Sequence, residues 1–233
     1  MMPAPTDFTP PTLSEALERL AMPMVDAMRT QRAVRRLHTA PVDLDLIYEL
    51  LELSLKAPTS SNSQDWIYLV VTDRAQKARL GRLYVSLFKV LEPLLSRSAD
   101  EQELRAMAPG KWQAENFADI PVLVIPCYRS SLKHRPIGWP QISVSSYYGS
   151  VYPAVQNLLL ACRAVGLGAS LQTLPIAFTP VAARVLKLPR GLSPVCVVPI
   201  GWAKGRYGPT SRTPIGEIVH IDHYGNQPPR HSS

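Results

Sequence analysis

The segment from Tyr147 to Val165 constrains this chain most, because it is apolar nearly all the way round a helix. Val151, Val155, Leu158, Leu159, Cys162 and Val165 recur at spacings of three and four, and Gly166 follows where a helix that closes in the left-handed region takes its C′ residue. A helix without a wide polar face has to be covered on several sides. The rest of the fold must therefore wrap around it, or a second subunit must complete the cover. At 46% apolar residues, a chain of 233 can bury such a core within one domain spanning 1–233, with a Pro-rich segment at 1–11 and a polar tail at 222–233.

Around this helix the pattern alternates between helical and strand periods. Thr12 and Glu15 form a capping box ahead of Leu17, Leu20 and Ala21, and Pro23 interrupts or restarts that helix. Asp43 is placed to cap a second helix through Leu44, Ile47, Leu50, Leu51 and Leu55. Ile67 to Thr72, Val122 to Cys127 and Val195 to Ile200 read as strands, and Ala75 to Leu95 as an amphipathic helix. Thr179 reads as the cap of a short helix with Pro180 at its first position. The charged stretch from Ser96 to Lys111 reads as an irregular connection, and Arg129 to Ser146 as a long loop. This mixture places the chain in the α+β or mixed α/β class.

Between the second helix and the first strand lies Ala57-Pro58-Thr59-Ser60-Ser61-Asn62-Ser63-Gln64-Asp65-Trp66. It is a loop held between two core elements, and its hydroxyls, carboxamides and backbone N–H groups suit a neutral polar heterocycle. The charge balance adds a second hint. Lys plus Arg is 25 against 18 for Asp plus Glu, a formal net charge of +7, with a cluster at Arg29, Arg32, Arg35 and Arg36 and a Gly/Arg loop from Gly201 to Thr213 that carries Arg212. Arg32 and Arg35, three residues apart, can clamp a phosphate by charge-assisted hydrogen bonds. The cations form neither a basic tail nor an aromatic-laced platform, so a phosphate-bearing small molecule is favoured over nucleic acid.

Other chemistries lack their residues. Ser60, Ser61 and Ser63 have no nucleophile-elbow glycines, and Gly166-Leu167-Gly168 lacks the rest of a dinucleotide fingerprint. Cys127, Cys162 and Cys196 sit singly in apolar runs and read as buried free thiols, and His220 and His223 read as part of a solvated segment rather than as metal ligands. No apolar run is long enough to span a bilayer and Met1 to Pro11 has no signal-peptide pattern, so a cytoplasmic protein without a membrane partner is expected.

Four motifs in order resemble the FMN-dependent nitroreductase family: Arg32-Ala33-Val34-Arg35, the loop Ala57 to Trp66, Gln156-Asn157-Leu158-Leu159-Leu160-Ala161 through Gly166-Leu167-Gly168, and Arg212. The resemblance runs from about Arg29 to Val219. It implies an α+β homodimer, each subunit a three-layer α/β/α arrangement on a mixed, mainly antiparallel sheet, with FMN at the subunit interface. By the family pattern Arg32, Ala33, Arg35 and Arg212 lie along the flavin phosphate and ribityl chain. Pro58, Thr59, Ser60, Asn62 and Gln64 lie against the flavin of the neighbouring chain, and the amide of Thr173 or Leu174 approaches N5. The long apolar helix becomes the heart of the dimer contact.

The chain departs from the pattern in three places. Ala33 stands where the family usually has Ser, Asp65 replaces the Pro before Trp66, and Thr210 occupies a position that is often basic. The activity implied is ping-pong transfer of reducing equivalents from NADPH or NADH to a nitroaromatic, a quinone or a similar small electron-poor acceptor, with the chemistry on the flavin and no side-chain catalyst. The substrate wall is expected from Leu104 to Trp112 and Tyr128 to Tyr148, with Trp139 and Tyr147 stacking on an aromatic acceptor. The alternative is a flavin-binding or storage protein with little turnover.

Overall fold

The computed structural model describes residues 8–95, 101–129 and 140–227. Its spine is β2 (Val122–Arg129), an uninterrupted apolar strand that pairs antiparallel with β1 (Trp66–Val71) on one side, and with β4 (Leu192–Pro194) and β5 (Val198–Trp202) on the other. The edge strand β3 (Leu167–Ala169) pairs with β5, giving the order β1-β2-β5-β3 with β4 beside β2. Every described pairing is antiparallel.

Because side chains alternate along a strand, β2 feeds two cores. Val122, Val124 and Tyr128 face one layer and Leu123, Ile125 and Cys127 the other. The first layer is built from α1 (Leu13–Glu18), α3 (Leu44–Ser54) and the long α6 (Pro140–Val165). The second is built from α4 (Arg74–Leu95), α5 (Glu101–Glu115) and α7 (Thr179–Val185). The result is the three-layer α/β/α arrangement expected of the sequence. α6 is the most deeply buried helix: Ala154, Val155, Leu158, Cys162 and Val165 are fully enclosed, and Gly166 closes it at φ +89°. Ser54, itself buried, ties α3 to α6 by donating to the Ala154 carbonyl at 2.8 Å.

Several boundaries differ from the sequence expectation. Thr12 and Glu15 do form the capping box, and α2 (Met24–Thr30) restarts the chain after Pro23. The stretch expected to be irregular before Lys111 is instead helical from Glu101, since Pro109 is absorbed inside α5 at the loss of one backbone hydrogen bond. α6 likewise begins at Pro140 rather than Tyr147, so the end of the expected loop belongs to its first turns. The cap of α7 is Phe178, and Thr179 is its first residue, with its hydroxyl donating to the Ile176 carbonyl. The last strand runs from Val198 to Trp202, and Val195 is held separately by its N–H to the Pro126 carbonyl. Among the described residues no helix is long and apolar enough to cross a membrane.

Candidate functional site

The arginine segment is seated by two glycines. Gly168 on β3 and Gly201 on β5 are register partners, and together they leave a shallow strip with no side chain on the sheet. Val34 and Leu37 lie across it so closely that a Cβ on Gly168 would stand 2.6 Å from Leu37 Cδ2 and 2.8 Å from Val34 Cγ1. Backbone bonds lock the seat: the Val34 N–H donates to Ala169 O at 3.0 Å, His38 N–H to Trp202 O at 2.8 Å, and Lys204 N–H to Arg36 O at 3.0 Å. Residues 32–38 thus run beside the β3 edge. Arg32 and Ala33 are exposed, and Arg35 is half-buried.

The strand that carries Gly168 continues past Ala169 to Gln172, which exchanges both backbone bonds with Val197 at 2.7 and 2.8 Å. The chain then turns into a short 3₁₀ helix, Leu174–Ile176, with Thr173 exposed ahead of it. Among the described residues the N–H groups of Thr173 and Leu174 find no acceptor. Nearby, the Nε of Arg35 is buried and likewise without a partner. An orphaned buried guanidinium N–H is costly unless an acceptor arrives, and two idle amides lie on the same edge. A donor set of this kind fits an anionic, acceptor-rich ligand such as a phosphorylated heterocycle.

Arg212 is placed less tightly. Its loop is joined to the basic cluster through Thr210, whose N–H reaches Arg29 O at 3.4 Å, but the Arg212 side chain is exposed and donates to the Ser211 carbonyl. The segment is therefore in the right neighbourhood while its guanidinium points to its own backbone.

The loop from Pro58 to Gln64 leads into β1, the strand at the other edge of the sheet. Its backbone is unusual: Ser61, Asn62 and Gln64 have φ of 51°, 50° and 50°, in the left-handed region that side chains other than Asn and Asp seldom adopt. Backbone strain of this kind costs about 1–3 kcal/mol per residue and collects at binding sites. It is held by the Ser60 N–H to Ser150 Oγ at 3.1 Å, the Gln64 N–H to Thr59 Oγ1 at 3.3 Å, and the Gln64 amide to Asn62 Oδ1 at 3.2 Å. Pro58, Ser60, Asn62 and Gln64 are exposed and Thr59 half-buried. Two strands, β2 and β5, separate β1, the strand this loop leads into, from β3, beside which the arginine segment runs.

Beside the loop stands a column of tyrosines. Tyr147 packs edge-on against Tyr128 at 4.3 Å and against Tyr148 at 4.7 Å, and Tyr148 stacks on Tyr152 at 5.5 Å. Burial pushes the Tyr147 hydroxyl up, with Tyr148 and Cys127 adding to it. Tyr147 is half-buried, and its neighbour Tyr148, which sequence spacing did not single out, is exposed. Trp139 lies outside the described residues. Trp112, in the expected wall, lies over the Arg36 guanidinium at 5.9 Å. Among the described residues no cluster of His, Cys, Asp or Glu could hold a metal ion.

Residues 28–202, more than half of the chain, match the sequence profile of the nitroreductase family. The chain belongs to the nitroreductase family. The iodotyrosine dehalogenase 1 homolog of Caenorhabditis elegans is 27% identical over 76% of this chain and 54% of its own length, so this chain spans about half of that relative. The NADH dehydrogenase of Thermus thermophilus is 27% identical over 85% of this chain and 97% of its own. In structure, an iodotyrosine deiodinase bound to FMN and 3-iodo-L-tyrosine superposes with a TM-score of 0.69 at 20% identity, covering 87% of this chain and all of that one. A nitroreductase-like protein from Bacillus cereus gives 0.64 at 21%, covering 86% and 96%. These likenesses fix a nitroreductase fold.

Proposed function

We propose that this nitroreductase-family chain is a cytoplasmic FMN-dependent oxidoreductase, active as a homodimer with FMN held between subunits. The observation that carries this reading is the split donor set: an orphaned Arg35 Nε with the idle Thr173 and Leu174 amides at one sheet edge, and the strained loop from Pro58 to Gln64 at the other. On this reading two copies related by symmetry bring these halves together. The relatives' names, among them a dehalogenase homolog and an NADH dehydrogenase, agree with an oxidoreductase.

When bound, FMN supplies two-electron transfer from NADPH or NADH to an electron-poor acceptor in two successive half-reactions. The protein's share is position and electrostatics. Arg32, Arg35 and Arg212 would hold the phosphate and stabilise the negative charge of the reduced flavin. The N–H of Thr173 or Leu174 would donate to the ring. Pro58, Thr59, Ser60, Asn62 and Gln64 would cover the flavin of the other copy. Tyr147 braces Tyr148, whose exposed ring would offer an aromatic acceptor a stacking face.

The purified protein tests this directly. It should take up FMN, and anaerobic NADH or NADPH should bleach the bound flavin. Bound flavin that neither nucleotide reduces would replace the enzyme with a flavin-storage protein. Arg32→Ala should weaken FMN retention, and undiminished occupancy would remove that residue from the site.

A further inference from the structure

Behind the arginine segment lies a chain of buried polar side chains drawn from three parts of the fold. Tyr84 on α4 is almost fully enclosed and donates its hydroxyl to Gln172 Oε1 at 3.0 Å. The Gln172 amide donates to Ser170 Oγ at 3.1 Å, and Ser170 meets the fully buried Gln113 of α5 at 3.4 Å. Tyr84, Gln172, Ser170 and Gln113 are each no more than 7% exposed, inside a layer otherwise made of Leu80, Phe88, Phe117 and Val197. Four polar side chains in an apolar layer contribute little net stability compared with apolar residues of the same shape. What they contribute is geometry, since a fully connected network fixes one arrangement.

The network reaches the amide part of the donor set. Gln172 is the residue immediately before Thr173, and with its backbone bonded to Val197 and its side chain held at both ends, the direction in which the Thr173 amide leaves is fixed. Burial pushes the Tyr84 phenol up, and the Arg35 charge opposes that push.

We infer that Tyr84 and Gln172 are positioning residues that hold the Thr173 amide in one fixed relation to the flavin ring, and thereby set its affinity and its reduction potential. This rests on the FMN reading above. A group poised at the ring edge where charge develops stabilises reduced flavin more than oxidised flavin, so loosening it lowers the potential.

The test compares wild type with Tyr84→Phe, Gln172→Leu, the double variant, and Leu186→Ala, a residue of the same core outside the network. The FMN dissociation constant is read from flavin fluorescence, the two-electron midpoint potential from anaerobic titration, and fold integrity from thermal unfolding of the apoprotein. Tyr84→Phe and Gln172→Leu are expected to weaken FMN by about tenfold. Each should also lower the potential by roughly 30 mV, the equivalent of a tenfold change in the ratio of the two redox-state affinities. The double variant should be no worse than either single one, because the two act as a unit. Leu186→Ala should lower the unfolding temperature and leave both flavin readings alone. Network variants that lose thermal stability while keeping wild-type affinity and potential would overturn the proposal and leave the flavin reading standing. A wild-type chain that takes up no FMN would overturn both.

Discussion

Replacing Gly168 with alanine examines the seat of the arginine segment with a single methyl group. The new Cβ would stand 2.6 Å from Leu37 Cδ2, 2.8 Å from Val34 Cγ1 and 3.1 Å from Val34 Cβ. Carbon atoms prefer about 3.5–4.0 Å, so the nearest contact falls short by roughly 1 Å. Neither neighbour has an easy exit. Leu37 is buried, with 4% exposed, and Val34 is β-branched and pinned through its N–H to Ala169 O. Overpacking of this kind costs about 1–3 kcal/mol. In a chain of this size each kcal/mol is worth about 2–4 °C, so the unfolding temperature should fall by roughly 2–12 °C. Relief comes by pushing Val34 off the sheet, and Val34 lies between Ala33 and Arg35. FMN affinity should therefore fall together with stability, as read by differential scanning calorimetry and flavin fluorescence on the same samples. Gly216→Ala is the control, since a Cβ there meets nothing within 4 Å. An unfolding temperature and an FMN affinity both unchanged in Gly168→Ala would refute the glycine seat.

Three further outcomes are expected. Ala33→Ser restores a hydroxyl where a phosphate is proposed to bind, and one hydrogen bond to a charged group is worth about 1.5–3 kcal/mol, so FMN should bind about tenfold or more tightly by fluorescence titration. Ser61→Gly should be neutral to stabilising in chemical denaturation because it removes a left-handed strain, whereas Ser61→Val should cost about 1–3 kcal/mol. Burial pushes the Cys127, Cys162 and Cys196 thiols up to about 12, so the folded state keeps protons that the unfolded chain releases above about pH 8.5. Stability should accordingly be level below that pH and fall as pH rises toward 12, with the raised Tyr147 and Tyr207 hydroxyls acting in the same direction. Thermal unfolding from pH 7 to 10.5 checks the sign, and thiol reagents at pH 8 should react only after denaturant is added.

What could be read ahead of the structure were the features written in short sequence windows. The capping box at Thr12, the Asp43 cap, the α6 stripe and the β2 run are each specified by neighbours a few residues apart, and each forms. The loop at Pro58 to Gln64 announces itself by composition, but its left-handed backbone at Ser61 and Gln64 does not, because neither residue type prefers that conformation. α5 was hidden by its charges and by Pro109, which a packed helix tolerates. The site's supports were hidden by distance along the chain. Tyr84 and Gln172 are 88 residues apart, and the glycine strip exists only once β3 pairs with β5. A glutamine after an apolar strand and a tyrosine on the inner face of α4 were the available signals, and each alone reads as ordinary packing.

Native mass spectrometry of the purified chain with added FMN tests most directly the claim that two copies complete one kind of site. A dimer carrying two FMN molecules, with flavin lost as the dimer is dissociated, is the result predicted by donors on opposite sheet edges. A monomer that binds FMN one to one, or a dimer that binds none, would contradict it.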